Sequence, residues 1–387
     1  MENCGTLSIY VHYPFCLSKC PYCDFNSYKL LKVDEATFLS AYLKEIEYYY
    51  NFFPKRKVGT IFFGGGTPSL MSTTFLQSIL ARINSLWGID NDVEISLEAN
   101  PSTFEISKFR EFKNIGINRL SVGVQSLDDN ELKFLGRLHS CAEAIDAVKI
   151  ANKIFGDRYS VDLIYARPKQ KISDWLNELK RAIELSPFHL SLYQLTIEKG
   201  SGFFSKNIRE LDEDVASKMY SITNDFLESN EIYLYEVSNY SGKGYECQHN
   251  LNYWNSGEWI GIGAGAHSRL CFDEDFTSSY RVRTEIENVK VPSEWQNSVF
   301  KYGCGCKIKE KLTKSEFVEE ILLMGLRLRK GIKLNNVKKY LNINSVRDLC
   351  NNLHGMRRYI SVSDEQITIK VKYFSILNAI IGGLVIG

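Results

Sequence analysis

The sequence lacks a long hydrophobic run and an excess of charge of either sign. The one long apolar stretch, residues 373–387, is too short to cross a bilayer and contains three glycines, so we expect a buried closing element and no transmembrane segment. The formal net charge is only +1, which gives the whole molecule no general attraction to nucleic acid. We find no secretory pattern, internal repeat or low-complexity tract.

Most of the ten cysteines are dispersed along the chain. Dispersed cysteines without a secretory pattern predict reduced thiols and a cytoplasmic protein. Cys304 and Cys306 are separated by a single residue, which is poor support for a redox or metal pair. A chain of 387 residues, 44% of them hydrophobic, can fill the core of one large domain and a smaller one.

Three cysteines near the N-terminus are spaced for a metal site. Cys16, Cys20 and Cys23 follow the apolar segment Ser8–Tyr13 at C-x3-C-x2-C spacing. Thiolate is the soft ligand that iron–sulfur clusters take, and three ligands for four irons leave one iron open to a substrate or cosubstrate. The alternative is a zinc site that adds His12, but zinc patterns usually come as two paired half-sites, and no matching second pair follows.

Short apolar segments alternate with amphipathic stretches over the first half of the chain. Apolar residues recur at helical spacing over 37–53 and 75–87, which predicts two helices. The predicted strands are Ser8–Tyr13, Thr60–Phe63, Val93–Leu97, Arg119–Val124, Ser160–Tyr165 and Leu190–Leu195. Strands that alternate with helices imply an α/β fold with a parallel sheet, whose functional residues lie at the C-terminal ends of the strands.

Glycine-rich and polar motifs follow several of these strands. Gly64-Gly65-Gly66-Thr67-Pro68 ends the second, where consecutive glycines let backbone N–H groups approach a ligand and Thr67 adds a hydroxyl. Glu98 ends the third, and its carboxylate can accept hydrogen bonds from an ammonium or hydroxyl group. The other polar positions that we single out are Gln125, Arg137 and Asp162.

The second half of the chain is less regular. We predict a helix over 212–230, a strand over 233–240 and a glycine-rich and aromatic-rich loop over 242–265. A capping box at Thr313 and Glu316 opens a predicted helix through Leu328. Predicted helices at 338–341 and 345–356 precede a hairpin of 359–363 and 366–371, which together suggest a small winged-helix-like α+β domain.

The cysteine loop, the glycine motif and the polar strand ends, in this order, resemble the radical S-adenosylmethionine (SAM) family. The resemblance implies a partial (β/α)6 barrel, a [4Fe-4S] cluster on Cys16, Cys20 and Cys23, and SAM chelated by the open iron and cleaved by one electron. Within the family, the chain is similar to oxygen-independent coproporphyrinogen III oxidases and to the HemW-type haem chaperones. The SAM contacts implied are Tyr10, Gly65, Gly66, Thr67, Glu98, Gln125, Arg137 and Asp162.

Two features separate these relatives. The oxidases place a further cysteine two positions after the third cluster ligand, where this chain has Phe25. They also have a long N-terminal extension, whereas the first cluster cysteine is residue 16 here. The strings at 23–27, 191–198 and 235–240 look like the HemW type. The resemblance therefore implies a haem chaperone, with a coproporphyrinogen III oxidase as the alternative.

A histidine motif near residue 250 supports the same interpretation. His249-Asn250-x-x-Tyr253-Trp254 matches the motif associated with haem binding in the HemW group. Imidazole is a usual axial ligand of haem iron, and aromatic side chains suit a flat apolar macrocycle. We therefore expect His249, Asn250 and Tyr253 to be haem-related, with Cys247 and His267 as competing candidates for the ligand.

One departure from the HemW group lies at Ala166-Arg167, where a Gly-Leu pair normally precedes the proline. We expect Arg167 to add charge beside the cavity and to reshape its mouth. The resemblance implies haem, haem-acceptor proteins and, if SAM is cleaved, an electron donor such as flavodoxin or ferredoxin as partners.

Residues 301–358 hold 14 Lys or Arg against 5 Asp or Glu. This bias fits a solvated surface, and also contact with haem propionates, RNA or, as peripheral membrane contact, anionic lipid. We predict three regions: a barrel with the cluster loop at 1–240, the histidine-motif region and linker at 241–300, and a basic C-terminal domain at 301–387.

Overall fold

A computed structural model of the chain describes residues 6–30, 33–185, 187–272, 282–335, 358–363 and 365–385. The strands are β1 Leu7–Tyr13, β2 Phe15–Cys16, β3 Tyr28–Lys29, β4 Val58–Gly65, β5 Glu94–Ala99, β6 Arg119–Gln125, β7 Tyr159–Tyr165, β8 His189–Gln194, β9 Tyr233–Glu236, β10 Asn239–Ser241, β11 Glu258–Ile262, β12 His267–Phe272, β13 Val282–Asn288, β14 Cys306–Lys311, β15 Ile332–Lys333, β16 Ile360–Val362 and β17 Gln366–Ile369. The α-helices are α1 Glu35–Phe52, α2 Thr73–Trp87, α3 Thr103–Ile106, α4 Phe109–Asn114, α5 Asp129–Phe134, α6 Cys141–Phe155, α7 Ile172–Glu184, α8 Gly202–Ser205, α9 Glu213–Glu228, α10 Gln248–Trp254, α11 Pro292–Tyr302, α12 Lys314–Gly325 and α13 Leu377–Val385.

Twelve strands form one sheet in the order β14-β13-β12-β11-β1-β4-β5-β6-β7-β8-β10-β9. The six predicted strands are confirmed as its parallel centre, in the order β1-β4-β5-β6-β7-β8. β11 adds a seventh parallel strand beside β1, and antiparallel strands continue the sheet at both ends. Side chains from all six central strands line one cavity, so the sheet curls as a partial barrel.

Helices cover the outer face of the parallel strands, because the apolar residues of each helix recur on the side that faces the sheet. The Asp34 side chain caps α1 by accepting from the backbone N–H groups of residues 36 and 37. A capping box of Ser140 and Glu143 starts α6, whose buried alanines pack close to the sheet. The two predicted helices at 37–53 and 75–87 are confirmed as α1 and α2.

The prediction of a loop over 242–265 is wrong, because this region contains α10 and β11. Its glycines allow close packing: a Cβ on Gly261 would lie 2.2 Å from the carbonyl oxygen of His267. The predicted strand over 233–240 is two antiparallel strands, β9 and β10, since the chain turns at residues 237–238.

The capping box at Thr313 and Glu316 is confirmed, but the helix it opens ends at Gly325. The hairpin of β16 and β17 is confirmed, whereas the helices predicted at 338–341 and 345–356 lie outside the described residues. The winged-helix-like character of this region and the three predicted domain boundaries stay predictions. No helix within the described residues has the length and apolar character to cross a bilayer.

Candidate functional site

The curled parallel strands enclose a cavity of about 590 Å³. Its wall contains the predicted cluster ligands, the predicted SAM contacts and the three predicted haem-related residues, although these come from separate strands and loops. They are Tyr10, Cys16, Cys20, Cys23, Gly65, Gly66, Thr67, Glu98, Gln125, Arg137, Asp162, His249, Asn250 and Tyr253. Cys247 also lines the cavity, whereas His267 is exposed outside it.

The three cysteines of the N-terminal loop face this cavity and are partly exposed to it. Burial raises the pKa of the Cys16 and Cys23 thiols, and the neighbouring cysteines raise it further. The Cys23 sulfur lies 3.8 Å from the Ser27 hydroxyl. Metal coordination deprotonates a thiol outright, so these grouped thiols can become ligands despite their raised pKa.

His12 has no free ring nitrogen for a zinc ion. Its Nε2–H donates to the carbonyl oxygen of Asn26 at 2.9 Å, and its Nδ1 accepts from the Tyr10 hydroxyl at 3.0 Å. The geometry therefore does not support the zinc alternative.

The glycine motif after β4 holds the cysteine loop. The N–H groups of Gly66 and Thr67 donate to the carbonyl oxygens of Tyr13 and Phe15 at 2.7 and 2.8 Å. A Cβ on Gly66 would lie 2.7 Å from the Phe15 oxygen, so the loop can pack here only against glycine. The glycine motif predicted N–H groups that face a ligand, but those of Gly66 and Thr67 are already bonded to the backbone before Cys16.

Two carboxyl groups face the cavity from β5 and β7, the strands on either side of β6. The Gly65 N–H donates to Glu98 at 3.1 Å, and burial together with the charge of Asp162 raises the pKa of Glu98 to about 8. Burial also raises the pKa of Asp162, whose carboxylate accepts from the hydroxyls of Ser121 and Ser160 at 2.7 Å each. The pair can therefore receive a cation, whose charge favours the ionised carboxylates.

Arg137 connects the cysteine loop to the strand ends. Its guanidinium donates to the Cys20 sulfur at 3.6 Å, to the Gly123 carbonyl oxygen at 2.9 Å and to the Asn100 side-chain oxygen. Asn100 in turn donates to the Thr67 hydroxyl at 3.2 Å. Arg137 thus places a positive charge between the cysteine loop and the ends of the central strands.

Sequence reasoning assigned no role to several residues of the wall. Asn100 is one, and its position two residues after Glu98 was a signal of its place at the cavity. Asn26 was also missed; it lies outside the wall, but its side chain fixes the cysteine loop by donating to the carbonyl oxygens of Ala264 and Lys290 at 3.0 and 2.9 Å. Inward positions on four neighbouring strands add Ser96, Ser121, Ser160 and Ser191, which follow the period-two alternation of β-strands.

The expectation for Arg167 is wrong, because its side chain does not line the cavity. It is buried under α5 and α7, where it pairs with Glu131 at 2.9 Å and Glu178 at 2.7 Å. These carboxylates neutralise its charge away from the cavity mouth. Ala166 adopts a φ of 55°, so it carries the left-handed conformation that a glycine would take without strain.

Comparisons with known proteins agree with this geometry. Residues 10–182 match the radical SAM superfamily. The chain is 41% identical over 275 residues to the heme chaperone HemW of Escherichia coli, covering 71% of this chain and 73% of that protein. It is 37% identical over 329 residues to the mouse radical S-adenosyl methionine domain-containing protein 1, mitochondrial, covering 84% of this chain and 74% of the relative. The chain belongs to the radical SAM superfamily and is of the HemW type.

A solved structure of this superfamily has the same fold. Coproporphyrinogen III oxidase (HemN) from E. coli matches with a TM-score of 0.82 over 98% of this chain and 90% of that one, at 20% identity. This match supports the radical SAM barrel as the fold of the chain.

The residues present fit the groups that the radical SAM superfamily implies. Three soft sulfur donors lie together on one loop, with the Arg137 cation beside them to balance thiolate charge. Cys16, Cys20 and Cys23 would hold a [4Fe-4S] cluster. Glu98 and Asp162 face the same cavity with carboxylates that a positively charged ligand would satisfy.

Proposed function

We propose that this protein is a haem chaperone that binds a [4Fe-4S] cluster, SAM and haem and delivers haem to acceptor proteins such as respiratory haem enzymes. One observation carries the proposal: the cysteines and SAM-contact positions of a chain 41% identical to a heme chaperone all line one cavity. Phe25, where the oxidases have their further cysteine, adds support from the sequence.

The polar groups of the cavity prepare it for a cationic cosubstrate. A [4Fe-4S] cluster held by Cys16, Cys20 and Cys23 would supply one-electron chemistry to this site. Arg137 orients the cysteine loop through Cys20, and the Asn100 amide ties this cation to Thr67. Glu98, held by the Gly65 N–H, gives up its proton when a positive charge enters, and Asp162 accepts hydrogen bonds from a ligand beside it.

Haem is the cargo and needs an accessible ligand. His249 and Cys247 are almost fully buried, with 1% and 3% of their surfaces exposed. Among the described histidines, His267 is the exposed one. We therefore favour His267 as the imidazole that reaches haem iron, since its side chain is exposed.

The test uses the full chain with its cluster reconstituted without oxygen. We expect stoichiometric haem binding in an absorbance titration, followed by transfer of that haem to an apo haem enzyme that thereby gains activity. A parallel reaction with a reductant, SAM and coproporphyrinogen III measures oxidative decarboxylation. Robust decarboxylation together with no haem transfer would overturn the chaperone proposal in favour of the oxidase.

A further inference from the structure

The His249 ring is enclosed by aromatic side chains in the wall of the SAM cavity. It stacks on Phe62 at a centroid distance of 5.1 Å and an interplanar angle of 25°. Phe62 stacks in the same way on Tyr10, at 6.2 Å and 25°. The Tyr253 ring meets His249 edge-on at 4.7 Å. These rings all line the cavity, so His249 supports the surface against which SAM would lie.

Both ring nitrogens of His249 already have partners. The Thr60 hydroxyl donates to Ser8 at 2.8 Å, so its oxygen can only accept the bond that joins it to His249 Nδ1 at 2.7 Å. Nδ1 therefore carries the ring proton, and Nε2 accepts from the Tyr253 hydroxyl at 2.8 Å. Because burial lowers the pKa of His249 to about 3, the ring stays neutral and Nε2 keeps its lone pair for Tyr253.

Helix α10, which carries His249 and Tyr253, is held in place on two sides. At its start, Glu94 accepts from the His249 backbone N–H at 3.2 Å and from the Cys247 thiol at 3.4 Å. On the other side, the Tyr253 ring contacts Trp259 at 4.5 Å. The Arg283 guanidinium lies over the face of Trp259 at 5.6 Å, so the stack continues away from the cavity.

We propose that His249 and Tyr253 are positioning residues of the SAM cavity and that haem iron binds elsewhere on the chain. An iron bond to Nε2 would displace the Tyr253 hydroxyl and would bring a large macrocycle against a ring that is 1% exposed. The same two residues instead fix Phe62 and, through it, Tyr10. Tyr10 is in turn bonded to His12, which holds Asn26 of the cysteine loop. Helix α10 thus helps to position the cavity wall relative to the cysteine loop.

The proposal rests on the SAM and haem binding proposed above, and the test measures the two separately. Tyr253→Phe removes the hydroxyl and keeps the ring, in the full chain with a reconstituted cluster. The matched control is Tyr240→Phe, because this buried tyrosine also donates one hydrogen bond, to Asn224 at 2.8 Å, but lies outside the cavity wall. SAM affinity is measured from the change that SAM causes in the electron paramagnetic resonance spectrum of the reduced cluster.

We expect Tyr253→Phe to weaken SAM binding about fivefold, the effect of one neutral hydrogen bond, and to change haem affinity by less than about twofold. Tyr240→Phe should leave SAM affinity unchanged. Equal SAM affinities in the two variants would overturn the positioning role. A shifted Soret band or altered haem affinity in Tyr253→Phe would identify Nε2 of His249 as a haem ligand. Failure of the wild-type protein to bind haem would contradict only the chaperone proposal and leave the SAM comparison intact.

Discussion

A guanidinium nitrogen of Arg137 lies 3.6 Å from the sulfur of Cys20. A cation at this distance stabilises negative charge on a thiolate-bound cluster, and reduction adds negative charge. Arg137→Gln should therefore lower the reduction potential of the reconstituted cluster by about 60 mV, a tenfold change for a one-electron couple. Potentiometric titration followed by electron paramagnetic resonance measures this shift. Arg137→Lys keeps the charge and should shift the potential less, whereas equal potentials in all three proteins would contradict the role of the cation.

Glu98 makes SAM binding dependent on pH. Since the pKa of this carboxyl is raised to about 8, it is mostly protonated in the free protein near neutral pH. The permanent sulfonium charge of SAM favours the ionised form, so binding should release up to one proton near pH 7 and fewer near pH 9. SAM affinity should rise over the same interval. Calorimetry in buffers of different ionisation enthalpy counts the protons, and Glu98→Gln should remove this contribution. If the wild type and Glu98→Gln released the same number of protons on SAM binding, Glu98 would not be the group that loses the proton.

Ala166 is strained at its φ of 55°. Ala166→Gly should stabilise the fold by about 1 kcal/mol, because a left-handed conformation costs an L-residue that much and glycine adopts it freely. Urea unfolding of the wild type and the variant measures the difference. Ala81→Gly, at an exposed position in the middle of α2, is the control and should destabilise by about 0.5–1 kcal/mol. If the two substitutions changed the free energy of unfolding in the same direction, backbone strain at Ala166 would not explain the result there.

Arg167 stabilises the fold without contacting the cavity. Arg167→Leu leaves the buried Glu178 carboxylate without its cation at 2.7 Å and should destabilise by about 3–5 kcal/mol. Adding Glu178→Gln removes the unpaired charge but keeps an oxygen for the Ser126 hydroxyl and the Leu127 N–H, so it should recover much of that loss. Chemical unfolding measures both changes. The SAM affinity of the double variant should equal that of the wild type, and a weaker value would place Arg167 in the site after all.

The parallel strands and the composition of the site could be predicted from the sequence, but the partners of many polar groups could not. Buried parallel strands such as β1 are nearly continuous apolar runs, so they are visible locally. Local patterns do not show that Glu98 accepts from Gly65, or that the Gly66 N–H is used by Tyr13. The same limit explains the error at Arg167, whose carboxylate partners come from two separate helices. The wrong prediction of a loop over 242–265 has a similar cause. Glycines that permit close packing, such as Gly261, are also typical of loops, and the sequence alone does not distinguish the two uses.

The bonds from Gly66 and Thr67 to the carbonyl oxygens of Tyr13 and Phe15 use backbone atoms only. Each of these two residues therefore anchors the segment before Cys16 through its main chain, whatever its side chain. At position 66 the limit on substitution is space alone, because any side chain there would meet the Phe15 oxygen.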